Sequence, residues 1–324
     1  MAQNMKKWLI IAAVLIFVGG MIFVGAMAMV KWDFKKLSTA KYQTNTHEIQ
    51  EEFRNISLIT DTADIDFVPA EDGICKVICY EQTNVKHIVT VADDTLKIQL
   101  TDERKWYEYI GVNFGTPKLT VYLPESEYGA VTVETSTGDV RMPKDFLLES
   151  LTVTASTADI YTSASATGAV KLTASTGKIH AENMIAQSLD ISVSTGKVTA
   201  SGVACEEDIA LKVSTGDAKL TDIVCKSVIS TGNTGDITLE NVIAADRFTL
   251  ERSTGKVRFE RSDASEIDVT TSTGDVTGSL LSDFIYIVDT KTGKIVVPNT
   301  ISGGRCEITT DTGDIILTVY KVEE

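Results

Sequence analysis

Several residue types that define large protein classes are scarce in this 324-residue chain, which contains 5 Pro, 5 Cys and 3 His. Five Pro beside 22 Gly exclude a collagen-like chain, and 43% hydrophobic residues exclude a disordered one. Five cysteines are too few for a disulfide-rich scaffold, and their odd number leaves at least one unpaired. Because His47, His87 and His180 lie outside any Cys/His spacing pattern, the sequence predicts no metal site and no cofactor.

Positive charge is also in deficit, since 30 Lys and Arg stand against 45 Asp and Glu for a formal net charge of −15. Binding to phosphates requires a basic surface, so the sequence predicts that nucleic acid is not a partner. No Ser/His/Asp or Cys/His triad can be assembled from the spacing of these residues, and no phosphate-binding loop is present. The sequence therefore predicts a protein that is not an enzyme.

The one long apolar segment is an uncharged run of 23 residues at 8–30. As a helix it would extend roughly 35 Å, enough to cross a bilayer core of about 30 Å. Trp8 and Trp32 lie at its ends, where interfacial aromatic residues are favoured. The run predicts a transmembrane helix in the cytoplasmic membrane. A buried core helix, or a signal peptide cleaved near Ala26-Met27-Ala28, is the alternative.

The predicted organisation has five parts: a short tail at 1–7, the transmembrane helix at 8–30, a juxtamembrane linker at 31–52, an irregular β cap or first coils at 53–130, and regular repeats at 131–324. We expect a single-pass protein of the cell membrane with its C-terminal domain outside the cytoplasm. Flanking lysines leave the orientation open by charge alone, but long domains cross a membrane largely regardless of such charge.

From residue 131 onward a four-residue turn recurs ten times at a spacing of 19 or 20 residues, beginning with Ser136-Thr137-Gly138-Asp139. Thr is present in all ten copies and Gly in nine, and the next residue is always Asp or Lys. The later copies place these residues at the Gly position: Ala158, Gly177, Gly196, Gly216, Gly235, Gly255, Gly274, Gly293 and Gly313. We interpret the motif as a structural turn. Binding of Ca²⁺ or glycosidase chemistry at the like-charge neighbours Asp139/Asp159 and Asp217/Asp236 is the weaker reading.

The residues around each turn alternate between apolar and polar, which is typical of half-buried strands. A fixed period near 20 residues, with no room for a helix, favours a β-solenoid over a propeller. The predicted fold is all-β: one transmembrane helix, then a single-chain parallel β-solenoid (β-helix) of about ten 19–20-residue coils stacked about 4.8 Å apart, with no helix in 131–324.

Two local features of the repeats carry expectations of their own. Coil 228–236 has Ser230 in a core column and Gly232 within a strand, which predicts a β-bulge there. Cys205 and Cys225 each lie nine residues after the turn Gly of consecutive coils, so we expect them to stack as neighbours. Free thiols are the expected resting state.

The chain resembles a family of bacterial envelope proteins known as putative adhesins, whose function is unknown. The matching features are the apolar N-terminal segment, the Asp61-Thr62-Ala63-Asp64 turn with the strand at 65–68, the 119–124 segment (LTVYLP), and the Thr-Gly-Asp/Lys coils. The resemblance implies a β-helical domain outside the cytoplasmic membrane, tied to envelope stress or surface adhesion. It supplies no catalytic residues.

The leading functional hypothesis is a non-catalytic, membrane-anchored rod that acts as an adhesin or an envelope scaffold. Its partner would be an unidentified envelope protein or polymer, and the sequence leaves open whether the chain forms a homo-oligomer. The alternative is a polysaccharide-binding or polysaccharide-acting envelope enzyme. Segment 104–114 is rich in aromatic residues, namely Trp106, Tyr107, Tyr109 and Phe114. They predict a cap over the first coil, because an open solenoid end needs covering, with an exposed partner-binding patch as the alternative.

Overall fold

The structure is a computed structural model that describes residues 2–29, 31–33, 40–109 and 115–320. Its helix α1, Ala2–Met29, contains the apolar stretch Lys7–Met29, which is long and apolar enough to cross a membrane and is not buried inside the protein. Two left-handed residues, Lys31 and Trp32, end the helix, and the Trp32 N–H donates a hydrogen bond to the Met27 carbonyl.

All other regular structure is β, apart from a short 3₁₀ turn at Trp106–Tyr109. The strands before the repeats are β1 Tyr42–Ile49, β2 Asn55–Ile59, β3 Asp64–Pro69, β4 Cys75–Gln82, β5 Val85–Ala92, β6 Thr95–Asp102 and β7 Lys118–Leu123. The strands of the repeats are β8 Glu127–Thr135, β9 Val140–Met142, β10 Leu147–Thr157, β11 Ile160–Thr162, β12 Ser165–Ala166, β13 Ala169–Glu182, β14 Ile185–Ala186, β15 Ser188–Ser201, β16 Ala204–Cys205, β17 Ile209–Thr215, β18 Ala218–Thr234, β19 Ile237–Thr254, β20 Val257–Ser262, β21 Glu266–Thr273, β22 Val276–Leu280, β23 Phe284–Thr292, β24 Ile295–Val296, β25 Gly304–Thr312 and β26 Ile315–Val319.

The predicted fold class is confirmed. From β8 to β22 each coil pairs in parallel with the next, and the turn motifs stay in register, so that Thr176 pairs with Thr195 and Gly177 with Gly196. The apolar columns point inward and form one continuous core, in which Val131, Leu151 and Val170 are buried one above another. No helix occurs among the described residues from 131 to 320.

At both ends the stacking order departs from the order of the chain. Strand β2 lies between β6 and β8, and β3 lies between β7 and β9. Likewise β25 lies between β21 and β23, and β26 lies between β22 and β24. The first and last coils of the chain are therefore each second from the end of the stack. Each has a neighbouring coil on both sides, where a sequential order would have left it at an edge.

The two ends are finished differently. At the end that contains the first coils, β4 pairs antiparallel with both β7 and β1, and β5 pairs antiparallel with β6. These strands cover the end of the stack, and we call it the capped end. At the other end, the described residues give β23 and β24 pairing partners on one side only. We call this the open end.

The bulge expected in coil 228–236 is not there. Gly232 stays in the ladder, paired with Val213 on one side and Arg252 on the other, and the register shift lies instead between Cys225 and Ser227. The unusual residues serve another purpose, because Arg252 is buried and its guanidinium donates a hydrogen bond to the Ser230 hydroxyl at 2.8 Å. A Cβ on Gly232 would lie 2.8 Å from Arg252 Nη1. Gly232 thus provides the space, and Ser230 the acceptor, for a buried arginine.

The turn glycines lie where consecutive coils approach most closely. A Cβ built on Gly235 would lie 2.0 Å from the Gly216 carbonyl oxygen of the preceding coil. Gly235 also has a φ of +127°, which L side chains rarely adopt. Ala158 does not have a positive φ, and its carbonyl is the atom against which Gly177 packs. The column therefore requires more than a small residue, because most copies need glycine for both space and conformation.

We predict that Gly235→Ala destabilises the solenoid by about 2–4 kcal/mol, since it combines a backbone clash with a strained φ. The measurement is the urea concentration at the midpoint of unfolding of the full chain in detergent, monitored by circular dichroism.

The matched control is Ala158→Gly, the converse change at the same position of another coil. This change should lower the free energy of unfolding by no more than about 1 kcal/mol, which is the entropic penalty of a glycine. Equal losses in the two variants would show that the column does not discriminate between the residues.

Candidate functional site

The Asp residues of the turn column bind the backbone of the neighbouring coil. Each carboxylate Oδ1 accepts a hydrogen bond from the N–H of the equivalent residue one coil away, at 2.7–3.1 Å. The seven acceptors are Asp64, Asp139, Asp159, Asp217, Asp236, Asp275 and Asp314. These contacts follow the spatial order of coils even at the open end, where Asp275 binds Asp314 and Asp314 binds Lys294. The Asp of the turn therefore links neighbouring coils by a hydrogen bond.

The same contacts bear on the alternatives for the like-charge neighbours. Asp139 accepts the Asp159 N–H and Asp217 accepts the Asp236 N–H, both at 3.0 Å. Among the described residues, the group of Cys, His, Asp and Glu side chains with a geometry suited to a metal ion contains none of these aspartates. The geometry therefore favours the structural interpretation of the turn over Ca²⁺ or glycosidase chemistry.

The described part of the aromatic segment follows β6 and lies on the surface of the capped end. Trp106, Tyr107 and Tyr109 are 77%, 51% and 58% exposed, and Phe114 lies outside the described residues. Exposure on this scale does not fit a cap packed over the first coil, which β6 and β7 cover instead. The exposure of these side chains favours the alternative, an interaction patch.

An ion pair holds the base of this segment. The Arg104 guanidinium contacts the Asp102 carboxylate and lies 4.4 Å from the centre of the Tyr109 ring, while the Tyr109 hydroxyl donates to Asp102 Oδ2 at 3.0 Å. Hydrogen bonding from Arg104 holds the pKa of Asp102 well below its usual range. The pair stays ionised near neutral pH and fixes Tyr109 on the surface.

A buried polar cluster inside the capped end is absent from the sequence predictions. His87 Nδ1 lies 2.6 Å from Glu81 Oε2, and His87 Nε2 lies 2.8 Å from Thr60 Oγ1. All three residues are buried. Because a carboxylate can only accept, Nδ1 carries the ring proton and Nε2 accepts from the Thr60 hydroxyl. Burial lowers the pKa of His87 in spite of the carboxylate, so the ring is neutral at pH 7.

This cluster places a hydroxyl, an imidazole and a carboxylate in the order of a nucleophilic triad. It borders a cavity of about 160 Å³ that Asp61, Asp102 and Arg104 also line. Substrate pockets for small molecules usually measure roughly 300–1,000 Å³. The cavity is too small for such a substrate, and catalysis is not the function that this geometry supports best.

The five cysteines are free and buried. Ala204 and Val224 are paired in the parallel ladder, which places Cys205 beside Cys225 as the spacing predicts. Burial raises the pKa of Cys205 to about 11 and that of Cys225 to about 12. Both therefore stay protonated thiols at neutral pH, and these two residues are packing elements at rest.

A shallow groove on the side of the solenoid carries a stack of flat side chains. The rings of Tyr161 and His180 lie parallel with centroids 4.9 Å apart, and the Arg141 guanidinium lies 5.3 Å from the Tyr161 centroid. Asp66 and Glu182 also line this groove, whose volume is about 670 Å³. Flat rings beside carboxylates are suited to contact with a sugar face and its hydroxyls.

The open end presents apolar side chains and an unpaired strand edge. Ile285 and Ile287 of β23 are 46% and 49% exposed, and Ile295 and Val296 of β24 are exposed to a similar extent. The outward row of β23 continues with Asp289 and Lys291. A flat edge of this kind is a template for pairing with another strand.

An N-terminal apolar helix and a β-solenoid with one capped and one open end define the class of this protein. The chain belongs to the Toastrack DUF4097 family, whose model matches residues 53–207 and 204–323. No curated protein matches the chain.

Solved structures with similar folds cover most of the domain. A protein described as a putative lipid binding protein from Parabacteroides distasonis is 14% identical with a TM-score of 0.53, covering 74% of this chain and 98% of its own. A putative adhesin from Bacteroides fragilis is 16% identical with a TM-score of 0.46, covering 74% and 97%. A putative adhesin from Parabacteroides distasonis is 12% identical with a TM-score of 0.45, covering 85% and 98%. These three proteins are named as adhesins or binding proteins, and at such identities the first supports the fold alone.

We predict a pH-dependent contribution from Asp275, whose pKa is lowered by the hydrogen bond from the Asp314 N–H and then by Lys256. A lowered folded-state pKa stabilises the fold above the unfolded value, and this contribution is lost as the pH falls through the folded-state pKa. Asp275→Asn should therefore lower the free energy of unfolding by about 1 kcal/mol at pH 7 and by less at pH 3, where the pH lies below the unfolded-state pKa.

Urea unfolding of both proteins at the two pH values measures the difference. Asp190→Asn, on the exposed outer face of β15, is the control and should have little effect at either pH. A cost for Asp275→Asn that is the same at pH 7 and pH 3 would contradict a role for the ionised carboxylate.

Proposed function

We propose that this protein is a non-catalytic, membrane-anchored binding protein of the adhesin type, located outside the cytoplasm. Its solenoid holds a binding edge away from the membrane. The observation that carries this proposal is the difference between its ends: one is covered by antiparallel strands, and the other exposes a β edge with apolar side chains.

The position of the helix in the chain supports this orientation of the rod. Chain from the helix enters the domain at Tyr42, the first residue of β1, which belongs to the capped end. From Asp33 to Tyr42 an extended chain reaches at most about 31 Å. The capped end therefore lies close to the membrane when α1 is inserted, and the open end is the far one.

The exposed aromatic segment fits the same orientation. Trp106, Tyr107 and Tyr109 protrude from the capped end, and Trp and Tyr side chains are favoured at the membrane–water interface. In this proposal these three side chains rest on the membrane surface and keep the rod upright.

The partner that best fits the open end is a second copy of the chain. If two β23 strands pair antiparallel about Thr290, Asp289 of each copy lies opposite Lys291 of the other. Two rods joined in this way place their membrane helices at opposite ends, as adhesion between two membranes requires.

Polysaccharide binding is the second candidate function. The stack of Tyr161 and His180 beside Asp66 and Glu182 favours it, because these groups line an open groove on the side of the solenoid. In this version the rod binds a polymer of the envelope along its length.

The location has a direct test. Protease added to intact spheroplasts should remove the domain after residue 40, because it lies outside the cytoplasmic membrane. Immunoblotting of the membrane fraction measures the loss. Digestion that occurs only after lysis would show that the orientation is wrong.

The end-to-end contact is tested with the full chain in nanodiscs, whose masses show whether two discs are joined. We predict joined pairs for the wild type and at least a tenfold loss of them for Ile287→Lys, since a lysine on an edge strand opposes pairing. Ile185→Lys, at an exposed position of β14 on the side of the solenoid, is the matched control and should keep the pairs.

Unpaired wild-type discs would refute the second-copy partner. If the protein then sediments with isolated cell-wall polymer, and Tyr161→Ala abolishes that binding, polysaccharide recognition is the better function.

A further inference from the structure

Two strands of the capped end bring metal-binding side chains together. Cys79 and Glu81 lie on the inner face of β4, and His87 lies on β5. One potential ligand atom from each of these three residues lies within 4.8 Å of the other two, and all three residues are buried. We propose that Cys79, Glu81 and His87 form a zinc site, which is independent of the adhesive function proposed above.

The types and distances of the donors fit zinc better than harder or softer ions. Zn²⁺ accepts thiolate, imidazole and carboxylate ligands in a tetrahedron, with bonds of about 2.0–2.3 Å. Those bonds separate neighbouring ligand atoms by roughly 3.3–3.8 Å. His87 Nδ1 and Glu81 Oε2, now 2.6 Å apart, need to separate by about 1 Å to bind the same ion, and the Cys79 ligand atom lies within 4.8 Å of both residues.

The residues around the cluster already hold the ligands in place. Asn45 Nδ2 donates to Glu81 Oε1 at 2.6 Å, and the backbone N–H of His87 donates to Glu81 Oε2 at 2.7 Å, so both carboxylate oxygens are held in place. Thr60 Oγ1 lies 2.8 Å from His87 Nε2 and can accept from that nitrogen when Nδ1 binds the ion. Zinc-bound histidines almost always donate their second ring N–H to such an acceptor. Two outer partners are thus present in addition to three ligands.

His47 lies close to the cluster, although it is not one of the three residues whose ligand atoms lie within 4.8 Å of one another. It pairs with Val77 in the β1–β4 ladder, so its side chain lies on the same face of the sheet as Cys79. Its Nε2 is buried and has no hydrogen-bond partner among the described residues. A buried ring nitrogen without a partner is rare, and a metal ion would satisfy it.

Binding requires one proton to leave. The ring proton of His87 moves from Nδ1 to Nε2, where it faces Thr60, and the Cys79 thiol loses its proton to solvent. The thiol is buried, and a bound cation displaces its proton because the thiolate is the form that binds metal. The cavity lined by Glu81 and His87 adjoins the cluster and offers a route for the ion.

The test uses the untagged full chain in detergent, with Co²⁺ as a spectroscopic probe for Zn²⁺. We expect one Co²⁺ per chain and the near-ultraviolet charge-transfer absorption of a cobalt–thiolate bond. Addition of Zn²⁺ should abolish this absorption. Zn²⁺, but not Mg²⁺, should also raise the melting temperature by several degrees, because it binds the folded chain only.

Cys75→Ser is the matched control, since Cys75 is buried on the same face of β4 four residues away. It should keep the absorption, whereas Cys79→Ser should lose it, and His87→Gln should weaken Co²⁺ binding at least tenfold. An absorption that survives Cys79→Ser would overturn the proposal. The proposal would also be overturned if the wild type gave neither the absorption nor a zinc-dependent rise in melting temperature. This second result does not depend on the folding of any variant.

Discussion

The stacking of one coil directly on the next is the constraint on which the rest of this structure depends. At the turns the coils approach so closely that a Cβ on Gly235 would overlap the preceding carbonyl oxygen. The backbone N–H after each turn then needs an acceptor, and wherever the neighbouring coil carries Asp at this position its carboxylate is that acceptor. Two parts of the Thr-Gly-Asp motif thus follow from one requirement: Gly permits the approach, and Asp satisfies the polar group that the approach brings near.

Repeated coils pack well against one another inside the stack, but the stack still has an exposed strand edge at each end. The two ends of this solenoid differ in how that edge is covered. At both ends the first or last coil of the chain lies second in the stack, so that neither of these two coils forms an edge of the stack. The capped end then adds antiparallel strands, whereas the open end leaves β23 with a free side among the described residues. A bare edge is an aggregation hazard that proteins usually cover. Its retention at one end only is the reason to regard it as a binding surface.

The sequence predicts what is periodic and misses what is not. Spacing alone predicts the solenoid, the buried columns that include Val131 and Leu151, and the neighbouring positions of Cys205 and Cys225. It does not predict the exchanged order of coils, because every coil carries the same pattern and any two can stack. Nor does it predict that Gly232 and Ser230 accommodate the buried Arg252. Arg252 lies in the neighbouring coil, where it pairs with Gly232 and donates a hydrogen bond to Ser230. The one available signal for the buried cluster was Cys79 and Glu81 on the same face of a strand, with His87 after a hairpin.

The same distinction explains where chemistry can occur in this fold. Within the repeats each inward position belongs to a column, so a polar residue there needs partners in adjacent coils, as Arg252 shows with Ser230. The strands β1, β4 and β5 lie outside the columns and pair antiparallel, so their inner faces are free of that restriction. Asn45, Glu81 and His87 meet there with their hydrogen bonds satisfied. Because the cap has to cover an edge and need not repeat, it is the part of this solenoid in which a buried reactive cluster costs the stack least.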